Sequence, residues 1–153
     1  MSSGELKASD LRIGNLVNVP REDQSPFRID LIEYACEEFC KVGMNVNKFD
    51  TPFGVIDGHP ITWELPDLNG IPLTEEWLLK FGFKHDLYDD RFAFEMGATD
   101  YVVEKQDDWY FIGVKYNTSK GNSIVYFSWN IYHVHQLQNL YHALTDQELT
   151  LTT

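Results

Sequence analysis

The feature that most constrains the fold is a run of four β-prone segments separated by short joins. Residues 92–96, 101–104, 109–116 and 123–129 are rich in aromatic and β-branched side chains. The joins are Gly97-Ala98, Gln106-Asp107-Asp108 and residues 117–122. A parallel crossover needs about a dozen residues or more, so joins this short leave hairpins. The segments predict an antiparallel β-meander.

Helical signals flank that run. Thr74 can cap a helix over 74–81, with Glu75 and Glu76 in the first turn, where the helix dipole favours negative charge. Leu73 before the cap can staple to Leu78. Gly82 suits a left-handed stop, with Phe83 folding back on Leu78. The expected buried face is Trp77, Leu78 and Phe81. Residues 130–144 predict a last helix whose stripe is Ile131, Val134, Leu137, Leu140, Tyr141 and Leu144. From Thr145 a short tail is expected to return as an extended segment.

The first half is less regular. Residues 11–19 alternate apolar side chains around Gly14-Asn15 until Pro20, which predicts a first strand opening a small barrel or curved sheet. Over 30–43, Leu31, Ile32, Ala35, Cys36, Phe39 and Cys40 form one helical stripe, with Asp30 as cap and Gly43 as stop. A helix is expected there. A strand competes, because Phe27, Ile29 and Leu31 also alternate. Proline and glycine crowd residues 48–72, predicting short strands and turns with extended pieces at 55–56 and 61–65. The whole order predicts an α+β fold: an antiparallel β-meander with two or three helices packed on one face. One domain over 1–153 is expected, with 1–10 as a frayed terminus.

The chain has 153 residues, of which 43% are hydrophobic, and that is enough to bury a core. No apolar run approaches the roughly 20 residues that cross a bilayer. Met1-Ser2-Ser3-Gly4-Glu5 lacks the basic and apolar regions of a secretory signal, so a soluble, cytoplasmic protein is expected.

Charge narrows the choice of partner. The 24 acidic and 12 basic residues give a net charge of −12. That repels nucleic-acid phosphates and anionic lipid and attracts basic protein surfaces, although it also serves plain solubility. Between 86 and 108 the acids are Asp86, Asp89, Asp90, Glu95, Asp100, Glu104, Asp107 and Asp108, opposed only by Arg91 and Lys105. Residues 109–145 contain no acid; they hold Lys115, Lys120, three histidines and nine aromatics.

Three stretches carry a resemblance. Ile71-Pro72-Leu73-Thr74-Glu75-Glu76-Trp77-Leu78-Leu79-Lys80-Phe81-Gly82-Phe83 is the first. Val134-His135-Gln136-Leu137-Gln138-Asn139-Leu140-Tyr141-His142-Ala143-Leu144-Thr145, continued by Gln147-Glu148-Leu149-Thr150, is the second. Leu11-Arg12-Ile13-Gly14-Asn15 is the third. Together they resemble a family of small uncharacterised proteins of Bacteroidota genomes, their phages and mobile elements. The resemblance implies a shared fold and carries no activity across. It implies a mobile-element setting, in which small acidic proteins block host defence machinery.

Candidate chemistry is sparse. Cys36 and Cys40 are four apart and could ligate a metal or form a redox pair, but they share the apolar stripe with Phe39, which favours core packing. His85-Asp86 with Asp89-Asp90 could hold a divalent cation, but lacks the glycine and distal glutamate of a calcium loop. His135, Gln138, Asn139 and His142 share one helical face, rich in donors and acceptors without formal charge. It can bind a partner at little desolvation cost, or pack inward with its polar groups satisfied. There is no nucleophile elbow, Ser-His-Asp order or phosphate-binding glycine loop. No cofactor, metal or catalytic residue is assigned.

Three readings follow. The first is a non-enzymatic acidic protein that binds a basic protein surface. Its target would be a host nuclease, its nucleic-acid channel or another defence protein, in an anti-CRISPR-like manner. The acidic patch 86–108 supplies attraction, and the last helix's polar face or the aromatic segment supplies specificity. The second is a single-stranded nucleic-acid binder using the aromatic segment 109–145, which the net charge opposes. The third is an enzyme with a fold-assembled site at His133, His135 and His142.

Overall fold

The computed structural model describes residues 6–18, 26–29, 31–36, 39–44, 48–51, 54–57, 61–64, 68–96 and 99–152. The chain groups into two compact units, residues 1–71 and 72–153. The architecture is α+β, and every strand pairing among the described residues is antiparallel.

The first unit opens with a 3-10 turn at Ala8–Asp10, followed by short strands: β1 (Leu16–Asn18), β2 (Phe27–Arg28), β3 (Leu31–Cys36), β4 (Phe39–Met44), β5 (Lys48–Thr51), β6 (Gly54–Asp57), β7 (Ile61–Glu64) and β8 (Asn69–Gly70). They form sheets ordered β2-β1-β8 and β3-β4-β7 and the hairpin β5-β6. The expected first strand is shorter than the 11–19 alternation suggests. Gly14 adopts φ 94°, which glycine alone reaches without strain, and the chain turns there. Gly14 N donates to Ile29 O at 2.7 Å, and Ile29 N donates to Asn15 O at 2.9 Å. Asn15 is buried, and its Oδ1 accepts from Arg12 N at 2.7 Å. This turn sets Val17 among Leu11, Phe27, Ile29 and Leu68 in the unit's core, with Leu6 and Ile32 against it. Val19 and Pro20 lie outside the described residues.

The helix expected over 30–43 is corrected to the hairpin β3–β4. Its register pairs Leu31 with Gly43, Ile32 with Val42 and Tyr34 with Cys40. β7 then pairs with β4 and aligns Val42 with Trp63. In register, Lys41 aligns with Glu33 of β3 and with Glu64 of β7. A ladder partner some twenty residues away overrides the helical stripe, as tertiary pairing can. Cys36 and Cys40 therefore sit on facing strands, opposite Phe39 and Tyr34. The extended pieces expected at 55–56 and 61–65 correspond to β6 and β7, Leu65 lying outside the described residues.

The second unit comprises α1 (Glu75–Lys80), β9 (Lys84–Asp86), β10 (Arg91–Met96), β11 (Thr99–Gln106), β12 (Trp109–Thr118), β13 (Gly121–Ile131) and α2 (Val134–Thr145). Its sheet has the order β13-β12-β11-β10-β9, the expected meander with one added edge strand. α1 forms as its local signals dictate. Thr74 Oγ1 accepts from Trp77 N at 3.4 Å. Gly82, at φ 86°, closes the helix: its N donates to Leu79 O at 2.9 Å, and Phe83 N donates to Leu78 O at 3.0 Å. Leu78 and Phe81 are buried and Trp77 half-buried.

α2 starts later than the 130–144 stripe suggests, because other partners hold the preceding backbone. Ile131 pairs with Tyr110, Leu73 N donates to Tyr132 O at 2.8 Å, and Asn130 takes φ 64°. Gln136 Oε1 then accepts from Tyr132 N and His133 N at 2.8 and 3.0 Å. The tail beyond Asp146 folds back. Leu149 is buried, and Thr152 N and Oγ1 both donate to Lys80 O, at 2.8 and 2.9 Å.

Candidate acidic docking site

Antiparallel alternation decides which acids meet. The chain leaves β9 and enters β10 through residues 87–90, and leaves β11 and enters β12 through residues 107–108. Both turns lie at the same end of the sheet. Neighbouring strands are about 4.8 Å apart, so the two turns are centred roughly 10 Å from each other. Five exposed carboxylates gather on this rim: Asp86, Asp89, Asp90, Asp107 and Asp108.

Local bonds fix the first turn. Asp86 Oδ1 accepts from Tyr88 N at 2.9 Å, an Asx turn. His85 Nε2 lies 3.0 Å from Asp90 Oδ1, and its ring stacks on Phe92 at 4.6 Å. Asp90 and Asp107 hold φ 51° and 52°, a region that aspartate tolerates better than most residues. Between these acids stand Leu87 and Tyr88, 84% and 100% exposed. Sequence reasoning passes over both, because it assigns apolar side chains to the core. The available signal is their place inside an Asp-x-x-Asp-Asp turn. Arg91 Nη1 approaches Asp89 Oδ2 at 3.5 Å, and among the described residues no ion pair involves Asp107 or Asp108.

The other acids of the segment do not join this rim. Glu95 and Asp100 face each other across β10 and β11, and Asp100 also pairs in register with Lys115 of β12. They sit toward the opposite end of the strands. Glu104 is committed elsewhere: Arg91 Nε forms an ion pair with Glu104 Oε1, and Tyr126 O–H donates to the same oxygen. To reach it, the Tyr126 ring from β13 crosses β12 at Gly113, its register partner. Burial, then the hydrogen bond and charge of Glu104, push the Tyr126 phenol up to about 12.

No family model, curated protein or solved structure matches the chain. The site therefore stands on its own geometry.

The polar face expected on the last helix is not an exposed surface. His135 and Gln138 are buried, each 2% exposed, while Asn139 and His142 are half-buried. Gln138 Nε2 donates to Leu149 O at 3.4 Å, so for this amide the inward-packing alternative holds, with the returning tail as its partner. His142 Nε2 lies 3.9 Å from Glu148 Oε1 and 4.0 Å from Asp146 Oδ1. His133 and His135 stack with ring centroids 5.5 Å apart. Burial lowers the His133 pKa against the opposing hydrogen bond with Gln136. Among the described residues, no three His, Cys, Asp or Glu side chains converge on a metal position, and no helix is long and apolar enough to cross a membrane.

Proposed function

We propose that this chain is a non-enzymatic binding protein whose acidic rim docks on a basic protein surface. The observation that supports it is the meeting of two acidic turns at one end of the meander, with Leu87 and Tyr88 fully presented between carboxylates. The carboxylates would occupy positions where a nucleic-acid-processing protein holds phosphates, and would steer association. The two apolar side chains would supply the desolvated anchor that interfaces concentrate their energy in. The mobile-element resemblance suggests a host nuclease or defence protein as target, inside the host cytoplasm. On this reading both helices pack on the face bearing Phe94, whose ring meets Tyr141 of α2 at 5.3 Å.

The nucleic-acid alternative gains nothing from the geometry. Trp109, Phe111 and Tyr126 do cluster, but Glu95, Asp100 and Glu104 share their face by register and outnumber its two cations, Arg91 and Lys115, which are set against Glu104 and Asp100 rather than free for phosphates. The test is capture from host lysate at low salt and at about 0.5 M salt, where screening reaches within a few ångströms. A basic partner that is held at low salt, released at high salt and lost with D86N/D89N/D90N/D107N/D108N supports the proposal. Capture unaffected by that variant, or no partner at either salt, overturns it.

A further inference from the structure

The two edges of the second unit's sheet are built differently. β9 spans only Lys84–Asp86 and carries charge, which blunts an edge against further pairing. β13 is the longest strand, Gly121–Ile131, and its sequence contains no charged residue. Among the described residues its only ladder partner is β12. It bears irregularities opposite 110–113, but from Gly121 to Tyr126 the ladder is regular, and among the described residues no strand pairs with the other side of this stretch. Val125 is 52% exposed, Phe127 39%, and neighbouring Tyr116 on β12 44%.

We propose that β13 pairs antiparallel with β13 of a second copy, joining two five-stranded sheets about a two-fold axis. Charge selects this occupant. Two molecules of −12 repel wherever their acids meet, and 109–145 is the long acid-free stretch of the chain. A basic partner would find its attraction at the rim rather than on this neutral strand. The strand also fits itself. A two-fold axis through Val125 sets Val125 opposite its own copy, Ile124 opposite Tyr126, and Ser123 opposite Phe127. Exposed apolar side chains of one copy then cover those of the other.

The experiment is sedimentation of the full chain over a concentration series, as wild type, V125T and V125K. Wild type is expected to show a reversible monomer–dimer equilibrium, and V125T, which keeps the β-branched shape but adds a hydroxyl, to retain it within a few-fold. V125K is expected to weaken it at least about ten-fold with an unchanged circular dichroism spectrum. The added lysine lowers the overall repulsion, so weakening reports a local effect on the strand. Raising salt to about 0.5 M is expected to strengthen the dimer, opposite to its effect on capture of a basic partner. Amide exchange at residues 122–126 is expected to slow as wild-type concentration rises, a readout that needs no variant. A monomer at every soluble concentration overturns the proposal, as does a dimer indifferent to V125K, or protection of 122–126 only when another protein is added. The five-fold rim variant is expected to leave the dimer intact, so the two proposals fail separately.

Discussion

Replacing Gly113 with alanine should destabilise the second unit, although most glycines in strands gain from that change. A Cβ built at Gly113 meets Val125 O at 2.7 Å, Tyr126 Cδ1 at 2.8 Å and Ile124 Cγ2 at 3.0 Å. The first is backbone of the adjacent strand and cannot swing aside. Either β13 shifts or the Tyr126 ring leaves its crossing and releases Glu104. Overpacking costs about 1–3 kcal/mol. Loss of the phenol–carboxylate bond, should the ring leave, adds about 1.5–3 kcal/mol. The reduced backbone freedom of unfolded alanine returns about 0.4–1 kcal/mol. The net expectation for G113A is about 1.5–5.5 kcal/mol of lost stability, read by urea unfolding followed by circular dichroism, with about 1.5–3 kcal/mol for Y126F alone. The phenol gives a second readout. In the wild type Tyr126 should titrate near 12, as the difference between wild-type and Y126F absorbance titrations; in G113A it should fall toward the ordinary 10.0. The phenol's stabilisation is present below pH 10 and is lost as pH rises through about 12. A G113A protein as stable as wild type or more so, with the phenol unmoved, would refute the crossing of Tyr126 over Gly113.

Other consequences follow from the same contacts. L149A removes a buried side chain that fastens the tail over Gln138, and should cost about 2 kcal/mol, seen as a lower melting temperature and faster proteolysis of the C-terminus. T74A loses a long, exposed cap bond and should cost only about 0.5–1 kcal/mol in urea unfolding. His133 is held below its ordinary value of 6.5, so the stability it contributes is present above pH 6.5 and is lost as pH falls below it. H133N keeps a capping residue without a titrating ring, and should flatten that part of the pH–stability curve.

The parts of the fold legible in the sequence are those fixed by local chemistry. Thr74 and Gly82 bracket α1 because cap and stop act within one helical turn. The joins at 97–98 and 107–108 dictate hairpins because nothing longer fits there. Residues 31–44 defeat such reading: Leu31, Ile32, Ala35, Cys36, Phe39 and Cys40 make a helical stripe, the competing strand shows only in the alternation of Phe27, Ile29 and Leu31, and β7, which decides between them, is distant in sequence. The burial of Gln138 is equally non-local, since the chain that takes up its amide returns from beyond Asp146. For the candidate site, composition reveals the surplus of acid but not its sorting. Antiparallel register sends Asp86, Asp89, Asp90, Asp107 and Asp108 to one end, Glu95 and Asp100 toward the other, and gives Glu104 to Arg91 and Tyr126.

The most direct test of the acidic rim is a residue-by-residue map of surface potential, from NMR relaxation of each amide by cationic and by anionic spin probes. The cationic probe is expected to be most enriched at residues 86–90 and 107–108, with near parity of the two probes along 121–126. Equal enrichment of the cationic probe over the entire exterior, β13 included, would contradict it.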